Sequence, residues 1–189
     1  MSPQITEKIQ WTTADLELFP DDDTRYEIID GELLVTRAPH WRHQSVCVKI
    51  AAQLDIWSTQ TGLGKTAFAP GIIFTDADNV IPDVVWATNK RLETILDEAG
   101  HLTGAPELIV EVLSPGEKQE QRDRQLKLKL YSVQGVQEYW IVDRIQQKIE
   151  IYRRENAILK LAATLFKEDN ISSPLLPGLS CRVGSFFEL

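Results

Sequence analysis

Residues 106–143 read PELIVEVLSPGEKQEQRDRQLKLKLYSVQGVQEYWIVD, and this stretch decides the fold. Leu108 to Leu113 is apolar on both faces, as a central strand covered on each side must be, except at Glu111. A charged helix follows, with Leu126, Leu130 and Val133 predicted as its buried side and Asp123, Lys127 and Tyr131 as a neighbouring stripe at four-residue spacing. Its start is open: Ser114-Pro115-Gly116-Glu117 fits a capping box with Pro at the first helical position, and a start nearer Gln121 is equally compatible. Gly135 closes the helix. Glu138 to Asp143 returns as a second apolar strand, and a connection of this length favours parallel pairing through a right-handed crossover. An unpaired carboxylate inside such a strand gives up its charge or finds a partner, so Glu111 requires a metal ion or a cationic side chain.

Toward the N-terminus, Thr12 or Thr13 can cap a short helix through Phe19. Pro20 and Asp21 to Asp23 end it in solvent, and the segment reads as a lid or brace. Tyr26 to Thr36 is two β runs around Asp30-Gly31, the signal of a type I′ hairpin, and Pro39 breaks the second run. From His40 to Gln60, Val46, Ile50, Leu54 and Trp57 recur at helical spacing, and Gly62 and Gly64 stop that helix. Ala67 to Phe74 and Val80 to Ala87 are predicted as one hairpin around residues 76–79. In its second strand Asp83 shares a face with Ile81 and Val85, so a second acid needs a partner. Residues 89–104 read as a loop with a helical turn near Leu92 to Leu96. C-terminal to the deciding stretch, Lys148 to Arg153 and Ala157 to Phe166 form another hairpin, and the tail is expected to be a loop with a short strand at most.

At 189 residues, with 43% hydrophobic and 25% charged side chains, the chain can bury a core without staples. No repeat or linker divides it, so residues 1–189 are expected to be a single domain. Cys47 and Cys181 have no motif spacing, and no apolar run suits a signal or a membrane span, so a reducing, cytoplasmic setting is expected. A net charge of −8 excludes broad electrostatic attraction to nucleic acid; any such partner must be gripped locally.

Gly64-Lys65-Thr66 is not a phosphate loop, because Thr59 stands where a glycine is needed and a helix precedes rather than follows it. His43 and Cys47 lie one helical turn apart, yet no other Cys or His cluster completes four zinc ligands, which favours a structural thiol and a helix-start histidine. Asp83, Glu111 and Lys127 form the constellation with chemical content. Two carboxylates on adjacent strands can hold Mg²⁺, and the lysine can orient water or steady a phosphodiester transition state. The competing reading has Asp83 capping a turn, Glu111 paired with an arginine, and Asp123 with Lys127 as a surface pair.

PDVVW, PELIVEVLSP, Arg122-Asp123 with Lys127 four residues on, and GVQEYWIVD, taken in order, resemble the Uma-type family of the PD-(D/E)xK restriction-endonuclease-like superfamily. The resemblance runs from YEIIDGELL at Tyr26 to the last hairpin. It implies an α/β (α+β) fold, a restriction-endonuclease-like core whose central mixed β-sheet is flanked by helices, with extra β-hairpins. It also implies Asp83 and Glu111 as catalytic acids and metal ligands. The motif lysine would fall two residues after Glu111, where Leu113 stands, and in Uma-type proteins it has moved to the following helix, which Lys127 fits. Glu27 and His43 match family positions and are auxiliary candidates, against bland readings as an edge-strand acid and a helix-start hydrogen bond. The expected function is Mg²⁺- or Mn²⁺-dependent endonucleolytic hydrolysis of DNA. Because one cleft meets two strands of a duplex, a homodimer is expected. The alternative is a catalytically inactive nuclease-fold module that binds nucleic acid or a protein partner.

Overall fold

The computed structural model describes residues 9–20, 24–37 and 40–188. The acidic run Asp21 to Asp23 and the break at Pro39 lie outside the described residues. A 3-10 helix at Thr13–Leu18 is preceded by Thr12, whose N–H and hydroxyl both donate to the Asp15 carboxylate at 2.8 Å. The segment is a brace: Trp11 N–H donates to Gly31 O and Thr13 N–H to Asp76 O, which ties two hairpin turns together.

Strands β1 (Arg25–Ile29) and β2 (Glu32–Thr36) form the expected hairpin. Both turn residues take positive φ, Asp30 at 53° and Gly31 at 69°, the type I′ geometry whose twist suits the flanking strands. Helix α1 (Trp41–Thr61) buries Val46, Ile50, Leu54 and Trp57 and ends on left-handed Gly62.

The single hairpin expected over 67–87 is instead two ladders in two sheets. Ala69 at φ 48° with Pro70 after it interrupts the outward run, and Pro82, which has no N–H to give a ladder, interrupts the return. The result is β3 (Gly64–Phe68), β4 (Ile72–Thr75), β5 (Asp78–Val80) and β6 (Val84–Thr88). Strands β4 and β5 pair around Asp76-Ala77, while β3 pairs with β6 elsewhere. The stretch read as loop holds helix α2 (Asn89–Ile95), capped by the Thr88 hydroxyl accepting from Arg91 N–H.

Strand β7 (Leu108–Val112) is buried throughout and leads to one continuous helical stretch: α3 (Glu117–Gln121), a π-helical segment Arg122–Lys127, and α4 (Leu128–Gln134). The helix starts at Glu117 because Gly116 sits at φ 128°, a conformation that breaks the capping-box reading and puts Pro115 outside. Of the expected buried side only Leu130 is buried, Leu126 and Val133 being 41% and 73% exposed; Asp123, Lys127 and Tyr131 are buried with it. In a π turn the i→i+5 bonding widens the coil, so residues four apart stay in phase and the Asp123–Lys127–Tyr131 stripe rotates onto the sheet.

Strands β8 (Glu138–Asp143), β9 (Lys148–Glu155) and β10 (Ile158–Phe166) follow, the last two joined at Asn156 with φ 57°. The tail expected to be a loop is a hairpin, β11 (Asn170–Ser173) and β12 (Leu176–Arg182), ending in a 3-10 turn at Val183–Phe186. Pro174 lies in its turn and Pro177 on an exposed position, where a missing N–H is tolerated.

The central sheet has the order β10-β9-β8-β7-β6-β3, and the second sheet β2-β1-β5-β4. The crossover produces the expected parallel β7–β8 pair, and the other central pairs are antiparallel, so the sheet is mixed. Alternation along β7 sorts its side chains. Leu108, Val110 and Val112 join Val46, Ile50, Leu54 and Trp57 of α1 under one face. Ile109 and Leu113 join Leu130, Tyr131 and the second sheet's Ile29, Ile72 and Val80 under the other. Glu111 therefore points to the second face, while Asp83, just before β6, lies at the strand end between His43 of α1 and Arg25 of β1. No helix among the described residues is long and apolar enough to cross a membrane.

Candidate active site

Adjacent strands bring the two acids together. Asp83 immediately precedes β6, Glu111 lies on β7, and both line one cavity of about 330 Å³ with His43, Arg25, Arg122, Val112 and Ser114 among the other walls. They are 2% and 3% exposed. Asp83 is held on both oxygens: Oδ2 accepts from Val112 N–H at 2.8 Å and Oδ1 from Arg25 Nη1 at 3.3 Å. His43 Nε2 stands 3.3 Å from Oδ2 and donates to the Val112 carbonyl at 2.7 Å, which places the ring proton on Nε2.

Glu111 Oε1 accepts from Lys127 Nζ at 2.8 Å and from the Tyr131 hydroxyl at 2.9 Å. The same ammonium donates to Glu27 Oε1 at 3.0 Å, and that carboxylate also accepts from Ile81 N–H. Lys127 is 1% exposed and lies behind Glu111, away from the cavity wall. The partner of Glu111 is thus a lysine, the arginine belongs to Asp83, and Asp123 with Lys127 is no surface pair. Asp123 accepts from Arg122 Nε at 3.1 Å, while the Tyr139 hydroxyl donates to the Asp123 carbonyl and steadies the π segment.

Burial lifts Glu111, and although Lys127 opposes the shift, Asp83, Asp123 and Glu27 reinforce it and the carboxyl is pushed up to about 7. Burial acts the same way on Glu27 and Asp83, but Lys127 and Arg122 outweigh it at Glu27, and His43 and Arg25 at Asp83, so both fall below the ordinary range. Asp123 is raised, by burial first. Burial opposes the charge on Lys127, yet Glu111, Glu27 and Asp123 win and hold its proton tightly. His43 rises because Asp83 outweighs burial. The Cys47 thiol is driven up by burial and by the Asp83 and Glu111 anions.

The five residues singled out from sequence therefore surround one site, with Asp83, Glu111 and His43 on the cavity and Glu27 and Lys127 supporting from behind. Arg25 and Tyr131 carry no motif signal as site residues, since nothing in the local pattern tells which strand or helix faces Asp83 or Glu111. Four buried carboxylates, Glu27, Asp83, Glu111 and Asp123, meet Arg25, Arg122 and Lys127. Hard oxygen donors on one wall fit a divalent cation, which would also relieve the like-charge crowding that helps to lift Glu111.

A family model whose description is Uma2, "Putative restriction endonuclease", matches residues 13–184. The chain belongs to the Uma2 family. Its structure is similar to one titled "Crystal structure of a putative nuclease belonging to DUF820", from Anabaena variabilis ATCC 29413. The TM-score is 0.73 at 16% identity, over 93% of this chain and 97% of that one. At that identity the likeness shows the fold: the Uma2 chain has the expected restriction-endonuclease-like mixed sheet flanked by helices. The type IIG restriction endonuclease BpuSI also aligns, at 16% identity and a TM-score of 0.40, over 76% of this chain and 15% of that one. No curated protein matches.

Proposed function

We propose that this Uma2-family chain is, as one domain, a Mg²⁺- or Mn²⁺-dependent endonuclease that hydrolyses DNA phosphodiesters. The observation that carries the reading is the pair Asp83 and Glu111 on one cavity, with Lys127 Nζ 2.8 Å from Glu111. Asp83 and Glu111 would hold the ion, which when bound supplies a Lewis acid and an activated water. Lys127 keeps its proton, so it is not a general base; it fixes Glu111 and offsets negative charge gathering in the cavity. Tyr131 fixes the same oxygen from the other side, and Glu27 completes the lysine's coordination. Arg25, Arg37 and Arg122 at the cavity wall supply the local grip on phosphates that an acidic chain otherwise lacks.

Supercoiled plasmid incubated with the chain in Mg²⁺ or Mn²⁺ tests the proposal. Nicking or linearisation is expected, and Asp83→Asn or Glu111→Gln should slow it by at least about 100-fold. Cleavage that survives either change overturns the assignment. A wild-type chain that binds DNA or a protein without cutting in any divalent ion returns the reading to an inactive nuclease-fold module.

A further inference from the structure

We infer that His43, Cys47 and Asp83 form a second metal site, for an ion of the zinc class, which shares Asp83 with the proposed Mg²⁺ pair. The sequence placed only His43 and Cys47 together, one turn apart on α1, and so lacked a third ligand. Folding supplies it, because the first turn of α1 packs against the end of β7 and the approach to β6. A ring nitrogen of His43, the Cys47 sulfur and an Asp83 carboxylate oxygen all lie within 4.8 Å of one another, and all three residues are buried. The Nδ1 to Sγ separation is 3.5 Å. Tetrahedral zinc with bonds of about 2.0–2.3 Å holds its donors roughly 3.3–3.8 Å apart, so that edge already has the right length, and the Asp83 carboxylate, whose Oδ2 stands 3.3 Å from the other ring nitrogen, has to turn toward Nδ1 and Sγ to complete the set.

The surroundings agree with this use. His43 donates its Nε2 proton to the Val112 carbonyl, the outer hydrogen bond that fixes a ligating imidazole and leaves Nδ1 to face the Cys47 sulfur and, at 3.4 Å, the Gln44 side-chain amide. His43 and Asp83 open onto the cavity, which gives an ion its route in and leaves room for water as the fourth ligand. On binding, the ion replaces the thiol proton, which passes to solvent. A thiolate and an imidazole select a softer ion than Asp83 and Glu111 do, so one cavity presents two donor sets of different hardness that meet at a single carboxylate.

Titration of the full chain with Co²⁺ in metal-free buffer tests the site, and this arm does not depend on any nuclease activity. One equivalent should produce a near-ultraviolet thiolate-to-cobalt band, and one equivalent of Zn²⁺ should abolish it. Cys47→Ser should lose the band and bind Zn²⁺ at least about tenfold more weakly, while Cys181→Ser keeps it. A wild-type chain without the band overturns the site whether or not Cys47→Ser folds, and so does a band that Cys181→Ser removes. The sharing of Asp83 rests on the metal site proposed above and is read separately: millimolar Mg²⁺ should raise the Co²⁺ concentration at half-saturation. A band indifferent to Mg²⁺ leaves the zinc-class site standing and overturns the shared carboxylate.

Discussion

Glu111 shows how one side chain couples stability to charge. Its carboxyl is pushed up to about 7 from 4.5, so between those values the folded chain keeps a proton that the unfolded chain has lost. Stability therefore falls as pH rises through that window, and the loss is complete above about pH 7. Glu111→Gln removes the titration while its amide oxygen can still accept from Lys127 and Tyr131. In EDTA at pH 8 the variant should be more stable by on the order of 1 kcal/mol, about 2–4 °C in Tm for a chain of this size, and the gain should vanish near pH 4.5. A lower Tm at pH 8 would show the lysine pair outweighing the crowded acids and would count against Glu111 as a metal ligand. Lys127→Met works in the opposite direction. Its folded pKa is raised, so its stabilising charge is present at all pH values below the unfolded lysine range. Removal leaves Glu27, Glu111 and Asp123 short of a counter-ion and should cost about 3–5 kcal/mol. Adding Glu111→Gln to Lys127→Met should recover part of that loss in urea melts; strict additivity would show that the two groups do not interact.

At the scale of the element, the helix over 117–134 is where pattern and structure part. Leu126, Leu130 and Val133 look like a core stripe, yet only Leu130 is buried. Val133→Lys should therefore change stability by no more than about 0.5 kcal/mol, whereas Leu130→Ala should cost about 2–4 kcal/mol. Equal losses in a denaturant series would mean that the π segment is absent in solution and the helix sits in the orientation its leucines suggest. The cause is electrostatic as much as geometric. Asp123 and Lys127 can be buried because Arg122 stands beside Asp123 in the same turn and Glu27 and Glu111 receive Lys127, and these two acids come from two separate strands. Helical periodicity counts hydrophobic residues and has no term for such partners.

For the whole molecule, a net charge of −8 and three arginines at the cavity wall set the terms of any DNA contact. If three phosphates are neutralised, log affinity against log salt should have a slope of about −3, measured by anisotropy in Ca²⁺. A slope near zero would remove the arginines from the interface. The homodimer expected from the resemblance predicts a sedimenting species of twice the chain mass at micromolar concentration, and a monomer at high micromolar concentration excludes it. Sequence by itself determined the parallel β7–β8 pair, the type I′ turn at Asp30-Gly31, helix α1 and the two misplaced acids, because each is written in local periodicity, in turn chemistry, or in the cost of a charge in an apolar row. It misread the 67–87 segment, whose halves separate into two sheets at Pro70 and Pro82, since proline marks a break without saying where the chain goes next. Only the tertiary structure decided that Arg25 holds Asp83, that Lys127 and Tyr131 hold Glu111, and that Cys47 meets Asp83. Those contacts join residues 16 to 58 positions apart, or rest on a helix packing at one strand's end, and nothing in the intervening residues encodes which face will meet which.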